Sequence, residues 1–499
     1  MTGINRIYEG GAAAFSRHLS PSLLAAVSVG MIASFALFVP PYVGMADNGD
    51  FFRIIYGNGL YFNAPDYDGQ YFGYFVKEYG ILRYFNENGD ALFSSQSLFI
   101  RLALLLNKIL YSPERFDIRI QAAVYVLLHM AAVYLLVEGV TWRTPRKLGY
   151  PIALLAVFIF GDTGYTAYFN SFYGESVILI MALTIAASGL LLVRKRYNDY
   201  TMLAMFAISA LLLTTSKQQN APVGVMAAVM GLILVYVRKN KSYRAFAAFA
   251  CAILLLSGIA TYALIPRQFV TINQYHAMTR GALLLSENPE ATLRAFGIDE
   301  QYAILTGSIY YEQYTTIDTD SPLLFEPFYD RYGFVSLLAY YMTHPDQGIE
   351  MIHLAARHAF DIHPQAMGNF ERSAGMAFGQ HTAFFTGYST MKAALAPKTF
   401  GFIALWMLIV TGLYLPSFVS SARAKRLRGA IKLPMIVGLM FIGLSGIVVS
   451  IVGAGDADLA KHEFLFTVVF DIVTFVAVSD AIQGRHWRAE RLAGREAIG

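Results

Sequence analysis

The sequence predicts an all-α polytopic membrane protein with about ten transmembrane helices, and three observations predict it. Of 499 residues, 56% are hydrophobic and only 14% charged, and the mean hydropathy is +0.47, far from the balance of a soluble protein. Apolar runs of about bilayer length recur along the chain. Basic residues gather in the short segments between those runs. The single cysteine, Cys251, lies inside an apolar run, so no disulfide and no cysteine metal cluster is available and stability must come from packing. The formal charge of +4 acquires meaning only when charges are sorted by side of the membrane.

Residues 1–21 carry Arg6, Arg17 and His18 and read as a cytoplasmic N-terminus. Residues 22–40 hold the first transmembrane helix, with its apolar run at 22–39. It reads as a span rather than a cleavable signal, since no small-residue cleavage site follows it. Residues 41–117 form a polar, strongly aromatic outer loop that opens on an acidic motif. Within the loop, 97–111 reads as a helix with Leu98, Leu102, Leu105 and Ile109 on one side and Arg101 and Lys108 on the other. At about 1.5 Å per residue it is too short to span, so it is expected to lie in the interface.

Residues 118–265 supply helices two to seven, at 118–140, 150–168, 176–193, 201–215, 222–237 and 245–265. Residues 266–398 are polar and long enough for a small extracytoplasmic domain. Residues 399–482 supply the last three helices, at 399–419, 433–452 and 463–482, and 483–499 read as a cytoplasmic C-terminus.

Charge placement orients these spans. The short segments with Arg143, Arg146 and Lys147, with Arg194, Lys195 and Arg196, with Arg238, Lys239, Lys241 and Arg244, and with Arg423, Lys425, Arg426, Arg428 and Lys432, together with terminal Arg6, Arg17, Arg485, Arg488, Arg491 and Arg495, hold more than half of the 38 basic residues. Of the acids, only Glu9, Asp199, Glu490 and Glu496 fall clearly there. The positive-inside rule therefore places both termini inside and the two long polar segments outside.

The outward side collects polar residues at the ends of separate spans. Residues 40–53 place Asp47, Asp50 and Arg53 where the first apolar run ends. Asn-Gly followed by Asp is good turn chemistry in any protein, but an acid at the lip of a span needs water, a cation or a hydrogen-bond network to receive it. Asp162 and the run 168–175, with Asn170, Tyr173 and Glu175, close the third and fourth spans. Lys217 and Gln218 lie between the fifth and sixth, and the run 456–463, with Lys461 and His462, lies between the ninth and tenth. Each has a plainer reading: the lysines snorkel to the interface, and Glu175 and His462 are solvated loop residues. Asp471 and Glu138 are ionisable groups inside spans and need partners.

Carboxylates and cations around one outer cavity suit a lipid-phosphate substrate. A carboxylate takes a proton from an acceptor hydroxyl, while Lys and Arg hold the phosphate as its charge develops. No glycine-rich phosphate loop is present, which argues against nucleotide chemistry, and nothing points to nucleic acid. The residues require no cofactor and leave a divalent cation assisting the carboxylates open. His276, His344, His353, His358, His363 and His381 lie in the second outer segment. The spacing of His353, His358 and His363 does not stack imidazoles on one helical face, so no metal ligands are assigned.

The segments 46–51, 168–175, 216–219 and 461–466 resemble, in order, those of GT-C class polyprenyl-phosphate-sugar-dependent glycosyltransferases, and more narrowly the bacterial WsfD-like glycan hexose transferases. The resemblance implies a multi-pass protein of the bacterial inner (plasma) membrane with its active site outward. It also implies inverting transfer of a hexose from a polyprenyl-phosphate donor to a glycan or lipid-linked acceptor. By position the catalytic base falls on Asp47, with Asp50 as the near rival, and the missing Asp-Asp or Asp-Glu pair leaves the choice open. Arg53, Lys217, Gln218, Lys461 and His462 fall at the donor phosphate, with Asn170, Tyr173 and Glu175 toward acceptor or sugar. A flippase for lipid-linked sugars would instead keep polar sites near the midplane on broken helices. A glycan polymerase or ligase would take an oligosaccharide donor.

Overall fold

A computed structural model describes residues 19–83, 93–312 and 314–486. Arg6, Arg17, Arg488, Arg491 and Arg495, which contribute to the expectation of two cytoplasmic termini, lie outside that range. Among the described residues eight helices are long and apolar enough to cross a membrane, or nine if one bent pair counts as a single span.

The first, α1, covers Pro21–Phe38; Ser20 caps it by accepting the Leu23 N–H, and Pro21 supplies a first residue that needs no donor. Helix α2 (Gln96–Leu110) leaves Leu98, Leu102, Leu105 and Ile109 exposed and buries Ile100, Ala103 and Leu104 against the bundle. It thus presents outward the apolar stripe that the sequence predicts for an interfacial helix. Helix α3 (Ile118–Thr141) is capped by Asp117.

The expected span at 150–168 is two pieces. Helix α4 (Arg146–Phe160) and the segment Thr163–Asn170 meet at 49°. The break falls at Asp162, whose carboxylate caps the second piece at Gly164 N (2.8 Å) and accepts the Ser389 N–H (2.9 Å) from the second outer segment. An acid that satisfies freed backbone donors makes the kink affordable inside the bundle.

Helix α5 (Glu175–Arg194) is the central strut, 94% of its apolar window being buried, and carries Glu175 at its first residue. Helix α6 (Asp199–Thr214) has 16 residues, about 24 Å at ~1.5 Å per residue. That is short of a ~30 Å hydrocarbon core, so this helix, at the place of the fifth expected span, is not counted among those eight or nine. Helices α7 (Ala221–Leu234) and α8 (Lys241–Ala263) cross where Gly224 faces Gly258. A Cβ on Gly224 would sit 2.6 Å from the Leu254 carbonyl oxygen and 2.8 Å from the Gly258 nitrogen, so this small-residue contact fixes the crossing.

The second outer segment holds α9 (Arg267–His276), α10 (Phe334–Thr343), α11 (Pro345–His358) and α12 (Gly387–Leu395). The chain then closes through α13 (Phe400–Arg423), α14 (Leu427–Ala454) and α15 (Phe464–Ile482). Only 22% of the α13 window is buried, so this helix is peripheral. Inside the span of α15, Asp471 finds Lys392 of α12 at 2.8 Å and the Tyr388 hydroxyl at 2.6 Å, which is the partner set its position demands.

The first outer loop adds an antiparallel sheet in the order β1 (Leu60–Tyr61), β2 (Glu78–Ile81), β3 (Arg115–Asp117), with Leu60 opposite Ile81 and Tyr79 opposite Phe116. Just after α1 the chain runs beside residues 368–370 of the second outer segment. Gly44 N donates to Asn369 O (2.9 Å), Ala46 N to Gly368 O (3.0 Å), and Phe75 N to Phe370 O (3.1 Å). The two outer segments thus hold the acidic motif between them.

Candidate functional site: a cavity with a charged head and an apolar trough

The acidic motif is one turn that sends its two carboxylates to different places. Asp47 Oδ1 accepts the N–H groups of Gly49 (2.8 Å) and Phe51 (3.2 Å), and Oδ2 accepts the Tyr67 hydroxyl (3.1 Å). Gly49, at φ +96°, makes the reversal that an L side chain rarely allows. Asp47 is 4% exposed and has only neutral donors, so burial pushes its carboxyl up to about 6 despite the backbone N–H bonds of Phe51 and Gly49.

Asp50 comes out of the same turn toward a cation pair. Its Oδ2 pairs with Lys461 and its Oδ1 lies 3.1 Å from Arg53 Nη2, with its side chain 27% exposed. Burial works to raise this carboxyl, but Lys461 and Arg53 outweigh it and hold it well below the usual carboxylate range. In return Asp50, with Asp458 at 3.4 Å, outweighs the burial of Lys461 and raises its ammonium above the ordinary lysine value.

A second pair faces the first. Lys217 bonds Glu175 Oε1 at the head of α5. Burial lowers the Lys217 ammonium against the pull of Glu175, and neighbouring Lys461 lowers it further. His462 donates from Nδ1 to Gln219 Oε1 (2.6 Å), and burial together with Lys461 and Lys217 holds it down to about 3, so the ring is neutral. Tyr173 supports the turn from below. Its hydroxyl donates to Ala46 O (2.8 Å) and accepts the Asn48 N–H (2.8 Å), while its ring centroid lies 5.4 Å from Lys461 Nζ.

These groups form one end of a cavity of about 350 Å³. Its polar end is lined by Asp50, Arg53, Lys217, Gln218, Lys461 and His462. The rest is apolar: Tyr262 at the end of α8 and Ile265 just beyond it, Phe334, Val335 and Leu338 of α10, and the Val448–Ala454 end of α14. The wall formed by α10 comes from the outer segment, and Val335 is 75% exposed at the rim.

Of the residues singled out in sequence, Asp50, Arg53, Tyr173, Lys217, Gln218, Lys461 and His462 line this cavity and Glu175 sits directly behind Lys217. Asp47 and Asn170 stand back from it. Asn170 gives its amide N–H groups to Val43 O (2.7 Å) and Leu37 O (3.2 Å), fixing the chain that leads into the motif. Gln96, which lines the cavity and donates to Phe172 O (2.7 Å), escaped the sequence reading. Its signal was position, at the start of the interfacial helix.

Among the described residues no group of three or more His, Cys, Asp or Glu side chains converges as metal ligands. His363 is committed to Pro364 O (2.8 Å) and the Asn369 amide (2.8 Å), and so serves the strand-like pairing that holds the motif.

A family model described as YfdI N-terminal transmembrane domain matches residues 9–497. No curated protein and no solved structure matches the chain.

Proposed function

The chain belongs to the YfdI N-terminal transmembrane domain family and is a membrane glycosyltransferase-like protein; on that premise we propose that it moves a hexose from a polyprenyl-phosphate donor to an extracytoplasmic glycan or lipid-linked acceptor, in a bacterial plasma membrane with the site outward. The observation that supports this reading is the shape of the cavity. A head with two lysines and an arginine continues into a trough of valines, leucine and aromatic rings between α10 and α14, which matches a phosphate joined to an isoprenoid chain.

In this reading Lys461, Arg53 and Lys217 take the donor phosphate, with Gln218 and neutral His462 beside it. As the phosphate draws Lys461 and Arg53 toward itself, Asp50 loses the positive field that makes it a poor base. The acceptor oxygen then attacks the anomeric carbon. A new C–O bond forms, the bond from that carbon to the phosphate oxygen breaks, and its electron pair leaves with polyprenyl phosphate. The hydroxyl proton passes to Asp50, and a single displacement inverts the centre. Asp47 holds the turn that aims Asp50, Tyr173 and Asn170 brace the same segment, and Glu175 fixes Lys217.

Sugar transfer by the purified protein in nanodiscs tests this, with a panel of polyprenyl-phosphate hexoses and extracted cell-envelope glycan. Asp50→Asn is expected to lower transfer by about 10³-fold, the scale of a lost general base, and Asp47→Asn by less than about tenfold. The opposite ranking assigns the base to Asp47. Movement of lipid-linked sugar across sealed vesicles without transfer by wild type makes the protein a flippase.

A further inference from the structure

Beside Asp50 two loops meet, joined through Arg280. The loop after α14 carries Asp458, whose side chain is 45% exposed; its carboxylate accepts from Asn48 Nδ2 (2.8 Å) and stands 3.4 Å from Lys461. Lys461 therefore sits between two carboxylates, of which Asp50 lines the cavity and Asp458 faces out. The other loop carries Tyr311, 57% exposed, with Arg53 and Asp50 as its charged neighbours.

One residue braces both loops. Arg280 grips the Asp456 carboxylate with Nε (2.6 Å) and Nη2 (2.7 Å) and gives Nη1 to Gly307 O (2.9 Å). Bidentate pairing of this kind fixes orientation as well as distance. Gly455, at φ +61°, lets the backbones touch, since a Cβ there would lie 2.5 Å from the Arg280 carbonyl carbon. On the other loop His276 Nε2 accepts the Tyr310 N–H (2.9 Å). Such bracing of an exposed ring and an exposed acid beside a reacting carboxylate has no need in the fold alone, since neither side chain is buried.

We propose that Tyr311 and Asp458 form the acceptor subsite, and that they take a carbohydrate reached from the aqueous side. A pyranose has a C–H face that lies on an aromatic ring and an edge of hydroxyls that donate to a carboxylate. A sugar held by both places a hydroxyl at Asp50, across from a donor phosphate on Lys461 and Arg53. The assignment rests on the glycosyltransferase reading and deepens it.

The test measures, for wild type, Tyr311→Ala, Tyr311→Phe and Asp458→Asn in nanodiscs, the KM for extracted cell-envelope glycan in the transfer assay. Alongside it, the Kd for a short-chain prenyl phosphate is measured for wild type and both Tyr311 variants. Tyr311→Ala is expected to raise the glycan KM about tenfold, as for loss of an aromatic contact, while the prenyl phosphate Kd moves less than about twofold. Tyr311→Phe keeps the ring and the wild-type KM, and Asp458→Asn raises KM. An unchanged glycan KM in Tyr311→Ala, or a prenyl phosphate Kd that weakens as much as KM, overturns the subsite. Wild type that transfers no hexose from any donor overturns instead the reading beneath it.

Discussion

Asp480 and Asp50 sit at opposite ends of the bundle, each between a lysine and an arginine. Asp480, near the end of α15, is 1% exposed; Lys432 lies 2.7 Å from Oδ2 and Arg194 3.6 Å from Oδ1, and the Tyr414 hydroxyl donates to Oδ2 at 2.6 Å. Asp199 at the same end is held by Arg238 and by two nitrogens of Arg428, at 3.0 and 2.8 Å. Asp50 has the same two kinds of cation but a cavity where Asp480 has Tyr414. The difference teaches that the same ion pair serves folding where its remaining lone pairs are filled by protein, and serves binding where they face space that a ligand anion can share.

The largest effect that can break this contrast is at the closed end. Asp480→Ala leaves Lys432 and Arg194 in a buried site without that carboxylate, and breaking one side of a buried pair costs about 3–5 kcal/mol. Asp50→Ala leaves Lys461, whose side chain is 4% exposed, still beside Asp458 at 3.4 Å, and Arg53 near solvent, so a smaller loss of about 1–2 kcal/mol is expected. Thermal unfolding in one detergent checks both. Equal losses at the two ends would show that the outer pair is also structural.

Next in size is a contrast within the outer end. Asp47 has no cation, and its carboxyl is pushed from 3.8 up to about 6 by burial. Raised in the folded state, it favours folding in its protonated form: that contribution is full below pH 3.8 and is lost as pH rises through 6. A shift of this size corresponds to at most about 3 kcal/mol. In Asp47→Asn the amide oxygen still accepts from Gly49 and Phe51, and the amide nitrogen can donate to the Tyr67 hydroxyl oxygen. The variant is therefore expected to be more stable than wild type at pH 8 and equal to it near pH 4. A pH-independent difference in melting would mean that packing, not charge, sets the effect.

How far the sequence carried these contrasts depends on what each residue's role requires. Apolar runs and basic loops made the spans and their order legible, because hydropathy is a local property. The segments bearing Asp50, Lys217 and Lys461 were legible as candidates because charges at a membrane lip stand out. The choice between Asp47 and Asp50 was not, since it turns on three hydrogen bonds and a tyrosine 20 residues away. The break at Asp162 was hidden in an apolar run. Tyr311 and Arg280 lie in a segment whose composition says only that it is polar and aromatic; their meaning comes from long-range neighbours, Asp456 for Arg280 and Arg53 for Tyr311.

The smallest effect probes the pair that is least like either extreme. Glu175 is fully buried at the head of the central strut, yet its partner Lys217 lines the cavity. If the pair serves folding through the hydrogen bond that Lys217 gives Glu175, the double variant should melt well below wild type, because it leaves buried polar atoms at position 175 unpaired. If it serves binding, a neutral pair of similar shape should leave stability almost unchanged, because removing both partners leaves no buried charge unpaired. The double variant Lys217→Met with Glu175→Gln is therefore expected to melt within about 1 °C of wild type, about 1 kcal/mol for a chain of this size. It is also expected to bind short-chain prenyl phosphate about tenfold more weakly, or about 1.4 kcal/mol. A tenfold loss with unchanged melting places Lys217 with Lys461 and Arg53 at the head of the trough. Unchanged affinity with a large fall in melting moves the pair to the structural side, and leaves Lys461 and Arg53 to hold the phosphate between them.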